Sequence, residues 1–124
     1  MINEKLKEVL QKEGVVSFVS WTDGEPHIVN TWNSYLVVTE DERILIPAYA
    51  MRKTEKNLKE NNRIKMALGS KEVLGYKDYQ GTGFIIEGTG KFIESGPEFD
   101  KMKTKFSFLT RVLEITVSSA KQML

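Results

Sequence analysis

Asp23-Gly24-Glu25-Pro26 constrains this chain more than any other stretch. It separates "VVSFVSWT" from "HIVN", two runs of β-branched and aromatic residues. A turn this short leaves no room for a crossover helix, so the two runs pair as antiparallel neighbours. The same grammar recurs downstream. "EDERILIP" is a polar turn and a strand, with Pro47 marking its end or an edge. "RIKMALGS", "GFIIEGTGKFIE" and "RVLEITVSS" add further strands, and the glycines of the second suggest a bulge. "KEVLGYKDYQGTG" reads as an irregular excursion long enough to carry function.

Three helical signals interrupt the strands. "NEKLKEVLQKEG" has Asn3 as a cap, Ile2, Leu6, Val9 and Leu10 on one face, and Gly14 as its stop. "AMRKTEKNLKENN" runs from a loop into a short polar helix beginning near Lys53 or Thr54, and Gly96-Pro97 opens a third helix through about Phe106. About six short antiparallel strands with inserted helices predict a mainly β domain, a small closed barrel rather than a βαβ sheet.

Composition narrows the function classes. The 124 residues suit a single domain, 1–124, with one ordinary core. The 18 basic and 17 acidic side chains leave a net charge of +1, which removes the electrostatic case for nucleic acid. No apolar run has the length of a membrane span, and "MINEKLKEVL" lacks a secretory core. The chain has no cysteine, hence no thiolate nucleophile and no Cys-ligated metal, and this fits a cytoplasmic location. His27 is the only histidine, which excludes a multi-histidine metal site within one chain.

Two stretches carry chemistry. In "VNTWNSY", Asn30, Thr31, Asn33 and Ser34 surround Trp32 and Tyr35. Those amides and hydroxyls suit the edge of a planar heterocycle, and the aromatics suit its faces. A core tryptophan beside a bulged strand is the alternative. In "AMRKTEKN", Arg52 and Lys53 stand where a helix dipole disfavours cations. An anion held there reverses the penalty, and Thr54 adds a hydroxyl; a plain Thr54 cap with solvated cations is the alternative. Taken together, the stretches match a nucleotide-like cofactor with a ring and a phosphate. Gly81-Thr82-Gly83 can bring backbone close to a ligand but lacks the strand-to-helix context of a dinucleotide fingerprint. Trp21 and His27 read as structural strand residues.

The stretches "EVLQKEGVV", "PHIVNTWNSYL", "KTEKN", "GTGF", "GPEF" and "ITVSSAKQ" resemble the small FMN-binding proteins of the pyridoxamine 5′-phosphate oxidase-like split-barrel superfamily. The resemblance spans essentially the whole chain. It implies a six-stranded antiparallel Greek-key split barrel with short peripheral helices. It also implies a homodimer with FMN near each subunit interface. By the family pattern, residues from Asn30 to Tyr35 line the ring and ribityl chain, and Lys53 and Thr54 take the phosphate. Thr82 lies in a strand that carries a polar flavin contact. Val29, Pro47, Met51 and Gly81 complete the set within one chain, and Phe108 and Leu124 approach the flavin of the partner. The family typically has a tryptophan where Phe108 aligns. An extra residue just before it makes Phe106 the alternative counterpart. The substrate motif of pyridoxamine phosphate oxidases is absent. The implied function is electron transfer between redox partners of unknown identity. The alternatives are a flavin reductase or oxidase using NAD(P)H or a reduced substrate, and a non-catalytic flavin or haem binder.

Overall fold

The computed structural model describes all residues, 1–124. Seven strands form one antiparallel sheet: β1 (Val15–Ser20), β2 (His27–Trp32), β3 (Val37–Val38), β4 (Arg43–Ala48), β5 (Arg63–Leu74), β6 (Gln80–Ile93) and β7 (Arg111–Gln122). Helices α1 (Glu4–Leu10), α2 (Arg52–Glu60) and α3 (Pro97–Lys105) are inserted between them. The sheet order is β2-β1-β5-β6-β7-β4-β3. The seventh strand is β3, a two-residue piece too short to stand out as a period-2 run.

The order makes curvature obligatory. A flat sheet of seven strands holds its edges about 28 Å apart. The chain passes from the edge strand β2 to the opposite edge strand β3 through Asn33–Leu36 alone. From Trp32 to Val37 that link reaches at most about 18 Å. The sheet must therefore curl until its edges approach. They do not pair, so the barrel is open between β2 and β3, split as the resemblance implies and not closed as the strand pattern alone suggests. Asn33–Tyr35 form a 3₁₀ turn in that opening.

The curl encloses a core of 19 buried residues. Phe18, Ile44, Ile46, Ile64, Met66, Phe84, Ile86, Leu113 and Ile115 enter it from the strands, and Ile2, Leu6, Val9 and Leu10 from the amphipathic face of α1. Asn3 caps α1 as expected, its side chain accepting from the Leu6 amide at 2.9 Å. A smaller cluster of Leu45, Met102, Phe106, Leu109 and Val112 packs α3 against the outer face of β4 and β7. Successive β4 residues thus point into two cores, which explains the unbroken apolar run "ILIPA". Pro47 lies on β4 beyond its pairing with β3, where a missing N–H leaves no ladder bond open.

Two expectations need correction. Helix α1 stops at Leu10 with Gln11 as its C-cap, so Gly14 does not end it. A Cβ on Gly14 would lie 2.5 Å from the Gly69 carbonyl oxygen and 2.8 Å from Asn33 Nδ2, so the glycine permits a close backbone approach. The long excursion is also mostly strand. β5 continues to Leu74 and β6 begins at Gln80, with a register shift between Ser70 and Leu74.

Candidate functional site

The first pole of the candidate site is the start of α2. Ala50 and Met51 adopt left-handed φ values of 62° and 53°, unusual for non-glycine residues. Met51 is the N-cap and offers no side-chain acceptor. The first amides of the helix therefore have no cap and point outward with the positive end of the dipole. Lys53 is exposed, and Arg52 pairs with Glu55 at 3.0 Å. The Thr54 side chain is fully buried and its hydroxyl has no hydrogen-bond partner in the chain. A buried orphan hydroxyl is rare in folded proteins and marks an atom that a ligand oxygen would satisfy. The residues here fit a bound phosphate better than a simple capped helix, since Thr54 sits inside the first turn and does not cap it.

The second pole is the link between β2 and β3. Asn30 and Trp32 face outward, while Val29 is half-buried and Thr31 buried. Asn30 Nδ2 donates to Ser17 Oγ at 2.8 Å. Asn33 points inward: its Nδ2 donates to the carbonyls of Lys12 and Gly69, each at 3.0 Å, and its Oδ1 is buried without a partner. It holds the link in place, and its amide nitrogen is not free for a ring edge. Ser34 Oγ donates to Glu13 Oε2 at 2.7 Å, and the Ser34 amide donates to Glu13 Oε1 at 3.2 Å. These bonds, the hydroxyl first, hold the Glu13 carboxyl below its ordinary range.

Tyr35 packs on Phe106 at 5.4 Å and on Phe108 at 5.5 Å between ring centroids. Phe106 is buried in the outer cluster, whereas Phe108 is 45% exposed. Of the two, only Phe108 has a face free for another molecule. A polar cleft of about 300 Å³ adjoins this pole, lined by Glu13, Gly14, Gly69, Tyr79, Thr82 and Leu124 among others. Gly81, with φ +108°, also lines it. The Thr82 hydroxyl is engaged, donating to the Leu124 carbonyl oxygen at 2.8 Å. Leu124 lies beside its own chain's cleft with half its surface exposed.

Val29 on β2 and Met51 before α2 both pack on the main core from its rim, so the two poles border one interior. The expected residues fall at two places, the opening of the split barrel and the start of α2, each with one residue packed on the main core. Two residues outside the expected set belong with them. Glu13 is tied to Ser34, and Arg111 donates from its buried guanidinium to the Ala50 carbonyl.

The family profile described as Pyridoxamine 5'-phosphate oxidase matches residues 2–123. This chain belongs to that family. It is 45% identical over 117 residues to the FMN-binding protein of Nitratidesulfovibrio vulgaris (strain Miyazaki F), a match covering 94% of each chain. Among solved structures, an FMN-binding protein from Syntrophomonas wolfei aligns with a TM-score of 0.75 at 18% identity, over 98% of this chain and 85% of that one. HupZ of Group A Streptococcus aligns with a TM-score of 0.80 at 17% identity, over 99% and 94%. Likenesses at that identity establish the split-barrel fold common to the family. No helix is long and apolar enough to cross a membrane.

Proposed function

We propose that this chain is an FMN-binding protein that passes electrons between redox partners, as a homodimer in the cytoplasm. The observation that carries the reading is the uncapped start of α2, where the Thr54 hydroxyl is buried without a partner beside exposed Lys53. The FMN phosphate is held there. The ring lies toward the β2–β3 link, where Trp32 and Tyr35 supply aromatic surface. Bound FMN supplies the reversible redox chemistry; the protein binds, orients and shields it. Val29, Asn30, Thr31 and Ser34 border the ring and ribityl chain, Pro47 and Met51 its inner side, and Gly81 and Thr82 the polar cleft. Asn33 positions the link. Two features support a dimer that covers this face. Val15, Ile28, Trp32 and Phe108 are each at least 45% exposed, and Leu124 is 51% exposed. In the dimer, Phe108 and Leu124 approach the partner's flavin.

Lys53→Ala tests the phosphate site. A charge-assisted contact contributes roughly 1.5–3 kcal/mol, so FMN binding should weaken on the order of ten- to a hundred-fold while riboflavin binding stays the same. Equal losses for both ligands would remove the phosphate from α2. Prompt anaerobic bleaching of the flavin by NADH or NADPH alone would replace the carrier with a reductase. Light scattering at matched concentrations reads the dimer.

A further inference from the structure

We infer that Arg111 is a positioning residue for the anion site at the start of α2, acting through the Ala50 backbone and the Glu55 side chain. The inference rests on the reading of α2 given under Proposed function.

Arg111 opens β7 and its side chain is 2% exposed. Its guanidinium lies 4.7 Å from the centroid of the Phe92 ring. Nη2 donates to the Ala50 carbonyl, Nη1 is 3.5 Å from Glu55 Oε2, and neither Nε nor Nη1 has a hydrogen-bond partner. Burying a guanidinium with orphaned N–H groups is a poor way to stabilise a fold, since an apolar side chain of similar volume does as well or better. What the placement does serve is local shape.

Ala50 and Met51 are held left-handed just before the helix, a conformation that a non-glycine residue keeps only when its surroundings over-determine it. The head of β7 provides that determination. The Thr110 amide donates to the Ala48 carbonyl at 2.9 Å, and Arg111 donates to the carbonyl of Ala50, two residues on. Its other arm faces Glu55, at the end of the first turn. The clamp therefore brackets Lys53 and Thr54 from both sides. If the left-handed pair relaxes toward extended backbone, the first amides of α2 and the Lys53 stem turn with it. Glu55 also bonds Arg52, so one carboxylate faces two guanidinium groups, while Lys53 makes no ion pair within the chain.

The test compares wild type, Arg111→Met, Ala50→Gly, their double variant and Lys53→Ala. FMN and riboflavin affinities are measured by flavin fluorescence quenching, and the thermal midpoint is taken without flavin. Arg111→Met keeps the stem over Phe92 and removes the donors. It should weaken FMN about ten-fold and riboflavin by less than about two-fold. Glycine adopts the left-handed conformation without a clamp. Ala50→Gly combined with Arg111→Met should therefore regain most of the lost FMN affinity, a rescue that neither a structural role nor direct phosphate contact would give. Equal losses for FMN and riboflavin in Arg111→Met, or no rescue by glycine, overturn the positioning role. An unchanged FMN-to-riboflavin ratio in Lys53→Ala overturns the phosphate site itself, whatever Arg111 does. If Arg111→Met does not fold, Glu55→Gln loosens the other arm and should selectively weaken FMN several-fold; equal losses there overturn the inference.

Discussion

Two arginines, Arg43 and Arg111, sit at the two ends of the β4–β7 pairing and differ in almost everything else. Arg43 is saturated. Its Nη1 donates to Glu98 at 2.7 Å and to Glu114 at 2.6 Å, its Nη2 to Glu98 at 2.7 Å, and its Nε to Asp41 at 3.0 Å. The Glu98 and Asp41 bonds raise its already high pKa further. One guanidinium thus joins the β3–β4 turn, β4, β7 and α3. Arg111 is the more buried and has one carbonyl and one loose carboxylate. A charge fully matched within the chain needs no ligand. One left partly unmatched, bonded to a left-handed turn, is what the proposed anion site at α2 calls for.

The largest expected effect tests the saturated side. Arg43→Ala leaves Glu98, Glu114 and Asp41 without their shared cation. The pair with Glu114 is largely buried, at 20% and 10% side-chain exposure, so we expect a loss of about 1–3 kcal/mol. Urea unfolding of the flavin-free protein measures it, and the FMN-to-riboflavin ratio should not move. Arg111→Met should invert this pattern. Losing orphaned N–H groups offsets the lost Ala50 bond, so stability falls by about 1 kcal/mol or less while ligand preference shifts. A large stability loss in Arg111→Met would erase the contrast.

Acid sharpens the same comparison. Arg43 holds Glu98 below the usual carboxylate range, and Arg52, followed by Arg111, does the same for Glu55. Lys59 on α2 adds a weaker pull, and Lys91 and Glu94 face Glu55 across a shared cleft. Carboxylates with lowered folded pKa values contribute stability above their unfolded value, near 4.5. That contribution disappears as pH falls through the folded value. Denaturation midpoints should decline below about pH 4.5, and less steeply in Arg43→Ala than in wild type. FMN affinity should weaken over the same interval as the Glu55 arm of the clamp is protonated. The smallest stability effect belongs to Thr54→Val. Its hydroxyl bonds nothing in the chain, so the flavin-free protein should change by less than about 0.5 kcal/mol while FMN binds about ten-fold more weakly.

The features legible in the sequence are those with local causes. Asp23-Gly24 fixed the β1–β2 hairpin because turn residues act within four positions. The α1 face, the Gly96-Pro97 helix start and the α2 start were equally readable, and Lys53 and Thr54 came with the last. Asn33 was legible as a polar residue in a bend but not as an inward one, because its acceptors lie on α1's exit and on β5. Arg111 was missed for the same reason: its partner Ala50 is 61 positions away. A signal did exist. A charged residue heading the run Val112, Leu113 and Ile115, buried on both faces, has to be matched by something inside. The split in the barrel came with the family resemblance and not with the strand pattern, because β3 is two residues long and shows no period of its own.

The four-residue link between the sheet's edges also sets an order of events in folding. β1 must find β5, with Phe18 opposite Met66, and β4 must find β7, with Arg43 opposite Thr116. Such distant pairings place the chain among slow folders, on a scale of milliseconds to seconds. The Asn33 amide can reach its carbonyls only after α1, β5 and the link are all in place. The opening is then the last part assembled and the first to loosen, and amide exchange there should run ahead of the strands behind it. A cofactor seated across that opening would act as the final clasp, slowing unfolding far more than it speeds folding.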